Sequence, residues 1–308
     1  MWINNLGESE NITINIICGP TGSGKSTVAL ELAKFLPIEI INADSRQMIK
    51  YLNIGTAKPT KEEQNLVKTH LIDIIEPGTK YSAFRFIDDA NRAIENILSN
   101  NNIPLFVGGT GFYLRALTDG VVEIGETEFE IKEKLEKEME LLGPEKMHKK
   151  LMSIDPLEAH KIHPNNKVKV LRALEIFYTT GKSKSEISAT GVYRKSKYNF
   201  RYFCLAPNRV DLYNAINDRV DKMIEMGLLK EIKNLISKGY MNAIKISNVI
   251  GYNEIINHFD GKSSLEEAIS LIKQNSRRYA KRQITWFKKQ GDISFYENRA
   301  DLLDLLVE

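Results

Sequence analysis

Cysteine is almost absent: 308 residues hold two, Cys18 and Cys204. They form no ligand spacing, so neither a disulfide framework nor a cysteine-built metal site is expected, and a reduced cytoplasmic protein is the simplest account. No run of about 18 apolar residues occurs, so no membrane span is expected. Met1 to Thr13 is polar and lacks a basic-then-apolar leader. Internal repeats and low-complexity linkers are missing too. Nothing in the chain calls for a second subunit, and a monomer is the expectation. Excess charge is small, a net of +3, which by itself argues for no nucleic-acid partner. What remains is an ordinary globular composition, 42% hydrophobic and 27% charged, long enough for two lobes.

The distribution of charge says more than its sum. From Glu123 to Glu158 there are 11 acidic and 6 basic residues, a net of −5. From Lys161 to Arg201 there are 10 basic and 2 acidic, a net of +8. Such asymmetry fits a polyanion partner on the second stretch, or simply a solvated basic face.

The chain is organised around Gly19-Pro20-Thr21-Gly22-Ser23-Gly24-Lys25-Ser26, which fits G-x-x-x-x-G-K-[ST]. Apolar Ile14 to Cys18 precede it, and Ala29, Leu32, Ala33 and Leu36 follow at helical spacing. Strand, glycine loop and helix N-terminus together make a phosphate cradle. Backbone N–H groups turn inward, the helix dipole favours an anion, Lys25 adds a charge, and the Ser26 hydroxyl can reach a Mg²⁺. With both flanks in place, a chance glycine turn is the weaker reading.

Residues 12 to about 120 read as alternating strand and helix, the sign of a parallel α/β sheet. Ile38-Glu39-Ile40-Ile41 is a second strand ending in Asn42-Ala43-Asp44-Ser45. Ile87, Ala90, Ile94 and Ile97 stripe a helix, and Pro104-Leu105-Phe106-Val107 is a third strand ending in Gly108-Gly109-Thr110-Gly111. Ligands of open α/β sheets lie outside the carboxyl ends of the strands, so three strand ends converge on one crevice.

After Asp119-Gly120 the character changes. Glu126 to Leu142 is highly charged, with Ile131, Leu135, Met139 and Leu142 on one stripe, and more helix follows around Leu171 to Tyr178. Strand-like Tyr202 to Leu205 marks a return to the sheet. The expected fold is a P-loop NTPase-like α/β core with a parallel sheet, formed by 1–120 and 201–308, carrying an inserted all-helical domain at 121–200. A last helix, from about Ser264 to Gln290, would be roughly 40 Å long at 1.5 Å per residue. Arg277, Arg278, Lys281, Arg282, Lys288 and Lys289 fall on one arc of roughly 140°, with Leu265, Ile269, Ile272, Tyr279, Trp286 and Phe287 opposite. Six basic residues without an acid between 277 and 289 favour phosphate-backbone contact over a merely soluble face.

One part is missing from the crevice. A P-loop protein that hydrolyses nucleoside triphosphates needs a strand-end acid to help hold Mg²⁺, and Leu105-Phe106-Val107 ends in glycines and a threonine. Asp44 is the one carboxylate at a predicted strand end there, and it would either bind an acceptor or only cap a turn. A small-molecule kinase and a non-catalytic nucleotide-dependent RNA binder remain open at this point.

The motifs resemble, in order, those of the bacterial-type tRNA dimethylallyltransferases. They are the cradle, Asn42 to Gln47, Ile54 to Pro59, His70 to Asp73, Tyr81 to Ala83, Val107 to Leu117, His163 to Asn166, Arg172 to Glu175, Ile250 to Tyr252 and Lys281 to Phe287. The resemblance spans about residues 12 to 290. It implies transfer of a dimethylallyl group from dimethylallyl diphosphate, held by Gly19 to Ser26 with Mg²⁺ as cofactor, to N6 of adenine 37 beside the tRNA anticodon. Asp44 would be the base, with Thr110 positioning the acceptor. It further implies tRNA contact at Asp44, Ser45, Arg46 and Gln47, at Thr110 and Lys132, at Val168, Lys169, Val170, Leu171 and Arg172, and at Asn248, Val249, Ile250, Gly251, Tyr252 and Asn253. The basic helix, chiefly Arg277, Lys281 and Arg282, and the net-positive half of the insertion would grip the anticodon stem-loop. Arg172 could instead pair with an acid inside the insertion. Departures from the family pattern are Ile49 where Tyr is frequent, Lys169 for Arg, and Asn248 and Asn253 for basic residues. Adenylate isopentenyltransferases share the chemistry, but an insertion and a basic helix exceed what a free nucleotide requires.

Overall fold

A computed structural model of the chain describes residues 12–122, 124, 127–191 and 193–307. Most of the polar N-terminal stretch, with Glu123 and Glu126, lies outside them. The chain divides into two compact units, residues 1–118 with 196–308, and residues 119–195.

The first unit opens with β1 (Thr13–Cys18), α1 (Lys25–Leu32), β2 (Ile38–Asn42), α2 (Lys61–Leu66), β3 (Thr69–His70), α3 (Ala83–Ser99), β4 (Ile103–Gly108) and α4 (Gly111–Asp119). The second holds β5 (Val121–Val122), α5 (Phe129–Ile154), α6 (Pro156–Ala159), α7 (Lys167–Thr180), α8 (Lys184–Thr190) and β6 (Tyr193–Arg194). The chain then returns through β7 (Asn199–Leu205), α9 (Arg209–Glu225), α10 (Leu228–Ser237), α11 (Met241–Ser247), α12 (Tyr252–Phe259), α13 (Leu265–Phe287), β8 (Ile293–Tyr296) and α14 (Arg299–Val307).

The described strands β3-β2-β4-β1-β7-β8 form one sheet in that order, every pair parallel. Strands covered on both faces need continuous apolar runs. Ile14, Ile16, Ile17 and Cys18 of β1, and every residue of β4, are accordingly buried. Ile17, Leu105 and Val107 join Val28, Ala29 and Leu32 of α1 and Leu302 and Leu306 of α14 in one core cluster. The α3 stripe Ile87, Ala90, Ile94 and Ile97 is buried as its spacing requires, and α3 packs on β4 and β2. Register fixes the crevice. Cys18 pairs with Gly108 and Asn42 with Val107, so β1, β2 and β4 end side by side.

Several expectations are corrected. The strand at 103–108 is the fourth in the chain, because two-residue β3 carries no periodic signal of its own. The insertion is not all-helical, since β5 and β6 pair antiparallel. Its unit ends at Lys195, and β7 draws Asn199 and Phe200 into the sheet against Thr13 and Ile14. The charged helix does end at Leu142 as expected, because Gly143 is non-helical (φ 79°, ψ 166°), but a second helical stretch, 144–154, follows at once from Pro144. Leu135 and Met139 pack with Val170 and Leu174 in the second unit's own core, whereas Leu142, beside the break, is exposed. The last long helix stops at Phe287, about 35 Å in length. Beyond it β8 and α14, unread in the sequence, complete the sheet edge and the α1 cluster.

Candidate active site

The cradle follows directly from β1. Gly19 has φ +141°, and a Cβ there would lie 2.3 Å from the Leu205 carbonyl oxygen of the neighbouring strand, so any larger residue would force strands β1 and β7 apart. Gly24 caps α1 without a side chain, and no acid stands in the first turn. The first N–H groups of α1 therefore remain available to an anion. Lys25 Nζ donates to Pro20 O at 2.6 Å and to Ser23 Oγ at 3.4 Å. Burial pushes this ammonium down to about pKa 8, with Asp44 pulling it up and Arg219 pressing it lower. Ser26 and Lys25 face a cavity of about 880 Å³, within the range of small-molecule sites.

The Asp44 turn is built by Asn42, which is buried. Its Oδ1 accepts from Asp44 N at 3.0 Å, while Nδ2 donates to Asp44 O at 3.1 Å and Leu71 O at 3.0 Å. Asp44 Oδ1 accepts from Arg46 N at 2.9 Å, so the carboxylate does serve its turn while also lining the cavity. Thr110 holds the same turn from β4: its N donates to Ala43 O at 3.1 Å, and its Oγ1 accepts from Ser45 N at 2.9 Å. A Cβ on Gly108 would stand 2.3 Å from the Ala43 carbonyl carbon, so the two strand ends touch backbone to backbone.

Helix α13 closes this arrangement with the side opposite its basic arc. Gln283 is buried; its Oε1 accepts from Thr21 N and its Nε2 donates to Gly109 O, each at 2.9 Å. The Trp286 ring lies where a Cβ of Gly111 would be, 2.3 Å from its Cε3. The Tyr279 hydroxyl is pushed up to about pKa 12, first by burial and then by the charge of Asp44. Arg219, from α9, lines the cavity and donates to Thr56 O at 3.3 Å. Burial lowers its pKa while Asp44 raises it.

Sequence reasoning missed Gln283 and Arg219 as site residues. A signal existed for each: Arg219 falls on the stripe of buried Leu212, Ile216, Val220 and Met223, and Gln283 sits among the motif residues 281–287.

The far wall of the cavity is the 47–60 segment. Gln47 Nε2 donates to Ala57 O at 2.9 Å. Lys58 Nζ donates to Ile49 O at 2.7 Å and to Asp73 Oδ1 at 2.6 Å, tying the wall to the strand-end turns. Glu231 accepts from Asn53 N and Ile54 N at 3.0 and 2.8 Å and from the Tyr252 hydroxyl at 2.6 Å.

The residues expected to meet RNA divide by exposure. Arg46, Asn248, Lys281 and Arg282 are exposed, with Ser45, Gln47, Ile250 and Asn253 half-buried. Val249, Gly251 and Tyr252 are buried, Tyr252 completely, against Gly55 and Glu231, so the Val249 and Tyr252 side chains pack inward. In the second unit Val168, Lys169 and Arg172 are exposed on α7, and Lys132 and Leu171 are half-buried, but Val170 is buried in that unit's core. A helix turns only part of its circumference outward. Arg172 makes the ion pair that was its plainer alternative, to Glu175 Oε2 at 3.0 Å. Arg277 is half-buried and donates to Asn217 Oδ1 at 2.6 Å. Among the described residues no cluster of three metal-ligating side chains occurs, and no helix is long and apolar enough to cross a membrane.

A glycine-loop cradle that shares its cavity with the Asp44 carboxylate, on a parallel sheet without an acid after β4, fits a group transferase rather than a nucleoside-triphosphate hydrolase. Comparison with known proteins narrows the class. A family model described as IPP transferase matches residues 47–290, and one described as isopentenyl transferase matches residues 12–80. A tRNA dimethylallyltransferase of Geobacter metallireducens is 41% identical over 292 residues, 95% of this chain and 94% of its own length. One of Thermotoga maritima is 41% identical over 285 residues, 92% of each chain. The crystal structure of a tRNA isopentenylpyrophosphate transferase from Bacillus halodurans superposes with TM-score 0.67 at 37% identity, covering 96% of this chain and 95% of that one. A eukaryotic dimethylallyltransferase captured acting on tRNA superposes with TM-score 0.77 at 33% identity, over 92% of this chain and 73% of that one. The chain belongs to the tRNA dimethylallyltransferase family.

Proposed function

We propose that the protein transfers the dimethylallyl group of dimethylallyl diphosphate to N6 of adenine 37 in tRNAs that read codons beginning with U, releasing diphosphate, and that it does so as a monomer in the cytoplasm. The observation that carries this reading is the cavity shared by the Lys25 cradle and the Asp44 turn. No γ-phosphate is attacked in such a reaction, which accounts for a β4 that ends without an acid.

The diphosphate lies against Gly19 to Ser26, with the α1 N–H groups, Lys25 and Arg219 opposing the charge that grows as the C–O bond breaks. The new bond forms from adenine N6 to the freed carbon. The proton lost from N6 passes to Asp44, because an exocyclic amine is a poor nucleophile until a base accepts its proton. Thr110 keeps that carboxylate in place through Ser45 N. The adenine leaves its stack to reach the cavity. The donor set suits a magnesium ion: one hydroxyl, Ser26, beside a ligand rich in phosphate oxygens, without a carboxylate cage. When bound, Mg²⁺ neutralises part of the diphosphate charge. The exposed cations of α13, with Arg46, Asn248 and Asn253 in the first unit and Lys132, Val168, Lys169 and Arg172 in the second, receive the RNA.

The test is incubation with Mg²⁺ and labelled dimethylallyl diphosphate, offering either unmodified tRNA or AMP. Label in tRNA is expected. Label in AMP alone would identify an adenylate isopentenyltransferase instead, and consumption of ATP with a metabolite acceptor would identify a kinase.

A further inference from the structure

We infer that Gln283 is a positioning residue whose amide joins the leaving-group cradle to the acceptor turn and sets the distance between donor and acceptor. This rests on the transfer reaction proposed above. The β1–β4 ladder ends at Cys18 and Gly108. Thr21 and Gly109 lie beyond that last pair, where the sheet no longer fixes their spacing. Gln283 spans the interval with a donor at one tip and an acceptor at the other, taking Thr21 N on Oε1 and giving Nε2 to Gly109 O. Both partners are main-chain groups, so the bonds locate the two loops themselves.

From Gly109 the connection runs through Thr110 to Ser45 N and the Asp44 turn. Gly109 admits the amide only because it has no side chain: a Cβ would stand 2.4 Å from Nε2. The side chain is buried, 6% exposed, so water does not replace either bond at low cost. A primary amide carries one donor and one acceptor on the same short planar group whatever its protonation, which a carboxyl does only when protonated. Glutamate accepts but cannot donate when ionised, leucine does neither, and asparagine is one methylene shorter.

Transfer needs the allylic carbon and N6 about 3–3.5 Å apart and in line, and a misplacement of about 1 Å costs on the order of 10²-fold. One loop holds the donor, and the other, through Thr110, holds the turn that carries the acceptor base, so the loop-to-loop distance sets the reaction distance. Gln283 also lies on the helix that presents Arg278, Lys281 and Arg282 outward.

The experiment compares the full-length wild type with Gln283→Glu, Gln283→Leu and Gln283→Asn by thermal melting, inorganic diphosphate binding with Mg²⁺, tRNA binding, and kcat and KM for both substrates. Gln283→Glu still accepts from Thr21 but sets an oxygen against Gly109 O. Its diphosphate affinity is expected to stay within about threefold while kcat falls about 10²-fold. Gln283→Leu, which makes neither bond, is expected to weaken diphosphate binding about tenfold as well. tRNA affinity stays within about twofold in each. A lowered melting temperature with kcat and KM unchanged would reduce Gln283 to packing and overturn the inference. Should the leucine variant fail to fold, the glutamate and asparagine variants decide, and kcat within about threefold of wild type in both would overturn it. A wild type that prenylates no tRNA refutes the parent reading alone. The diphosphate titrations then still test the joint, and equal affinity in wild type and folded Gln283→Leu rejects it.

Discussion

The backbone amide of Ser45 donates to the Thr110 hydroxyl oxygen at 2.9 Å, so the turn that ends β2 hangs on a side chain from the turn that ends β4. Thr110→Val keeps the shape and removes the acceptor, leaving Ser45 N unpaired and Asp44 free to swing with its turn. The single-turnover rate is expected to fall by about 10- to 100-fold, with diphosphate affinity little changed. Thr110→Ser, which keeps the oxygen, should recover most of the rate. A fully active valine variant would remove Thr110 from the positioning of Asp44.

Asp44 caps its own turn besides serving as the proposed base, and the two duties separate by substitution. Asp44→Asn keeps an oxygen for Arg46 N but no charge to take a proton. Turnover is expected to drop about 10²- to 10⁴-fold, the range for removal of a general base, while tRNA affinity holds. Asp44→Ala gives up the turn as well and should be somewhat less stable to heat. Parallel decreases of binding and turnover in both variants would make the residue chiefly structural.

Lys25 supplies a pH dependence with a definite sign. Its pKa falls from an ordinary 10.5 to about 8, chiefly through burial, so the unfolded chain holds this proton more tightly than the folded one. Between about pH 8 and 10.5 the unfolded state therefore binds more protons, and the stability of the ligand-free protein rises with pH across that window. Capture of diphosphate runs the other way, because it needs the ammonium. The profile of kcat/KM for the diphosphate donor should fall as pH passes about 8, and Lys25→Met should lose that limb along with most of its affinity. A limb that persists in the methionine variant belongs to another group.

Much of this site is legible in the chain itself. The cradle, the Asp44 turn and the Gly108–Gly111 turn each sit where a strand visibly stops, and local chemistry announces them. What escapes is interaction made at long range. Gln283 bonds to Thr21 across 262 positions; its spacing from Tyr279 and Phe287 puts it on the packed side of α13, but spacing does not name the groups it meets there. Tyr252 is a converse case: its motif resemblance implies RNA contact by the segment, while its side chain is buried as the partner of Glu231. The break at Gly143-Pro144 is legible, and only the helical stretch 144–154 beyond it goes unread. β8 and α14 lie past the last motif and draw their order from the sheet edge and the α1 cluster.

The outer face of α13 tests where RNA binding ends and packing begins. Arg278, Lys281 and Arg282 are exposed, whereas Arg277 on the same basic arc donates to Asn217 Oδ1 and lies over the Tyr213 ring at 5.9 Å. The two kinds of arginine should therefore respond differently to alanine. Removing Arg278 or Lys281 is expected to weaken tRNA binding and to lower the slope of log affinity against log salt by about one for each phosphate left without its cation. Arg277→Ala should instead cost about 2 kcal/mol of stability, the worth of a hydrogen bond to a charged group, and leave the salt slope nearly unchanged. Salt titrations of tRNA binding alongside thermal melts separate the outcomes. A reduced slope for Arg277→Ala, with stability retained, would return that residue to the RNA face and show that its bond to Asn217 yields when tRNA arrives.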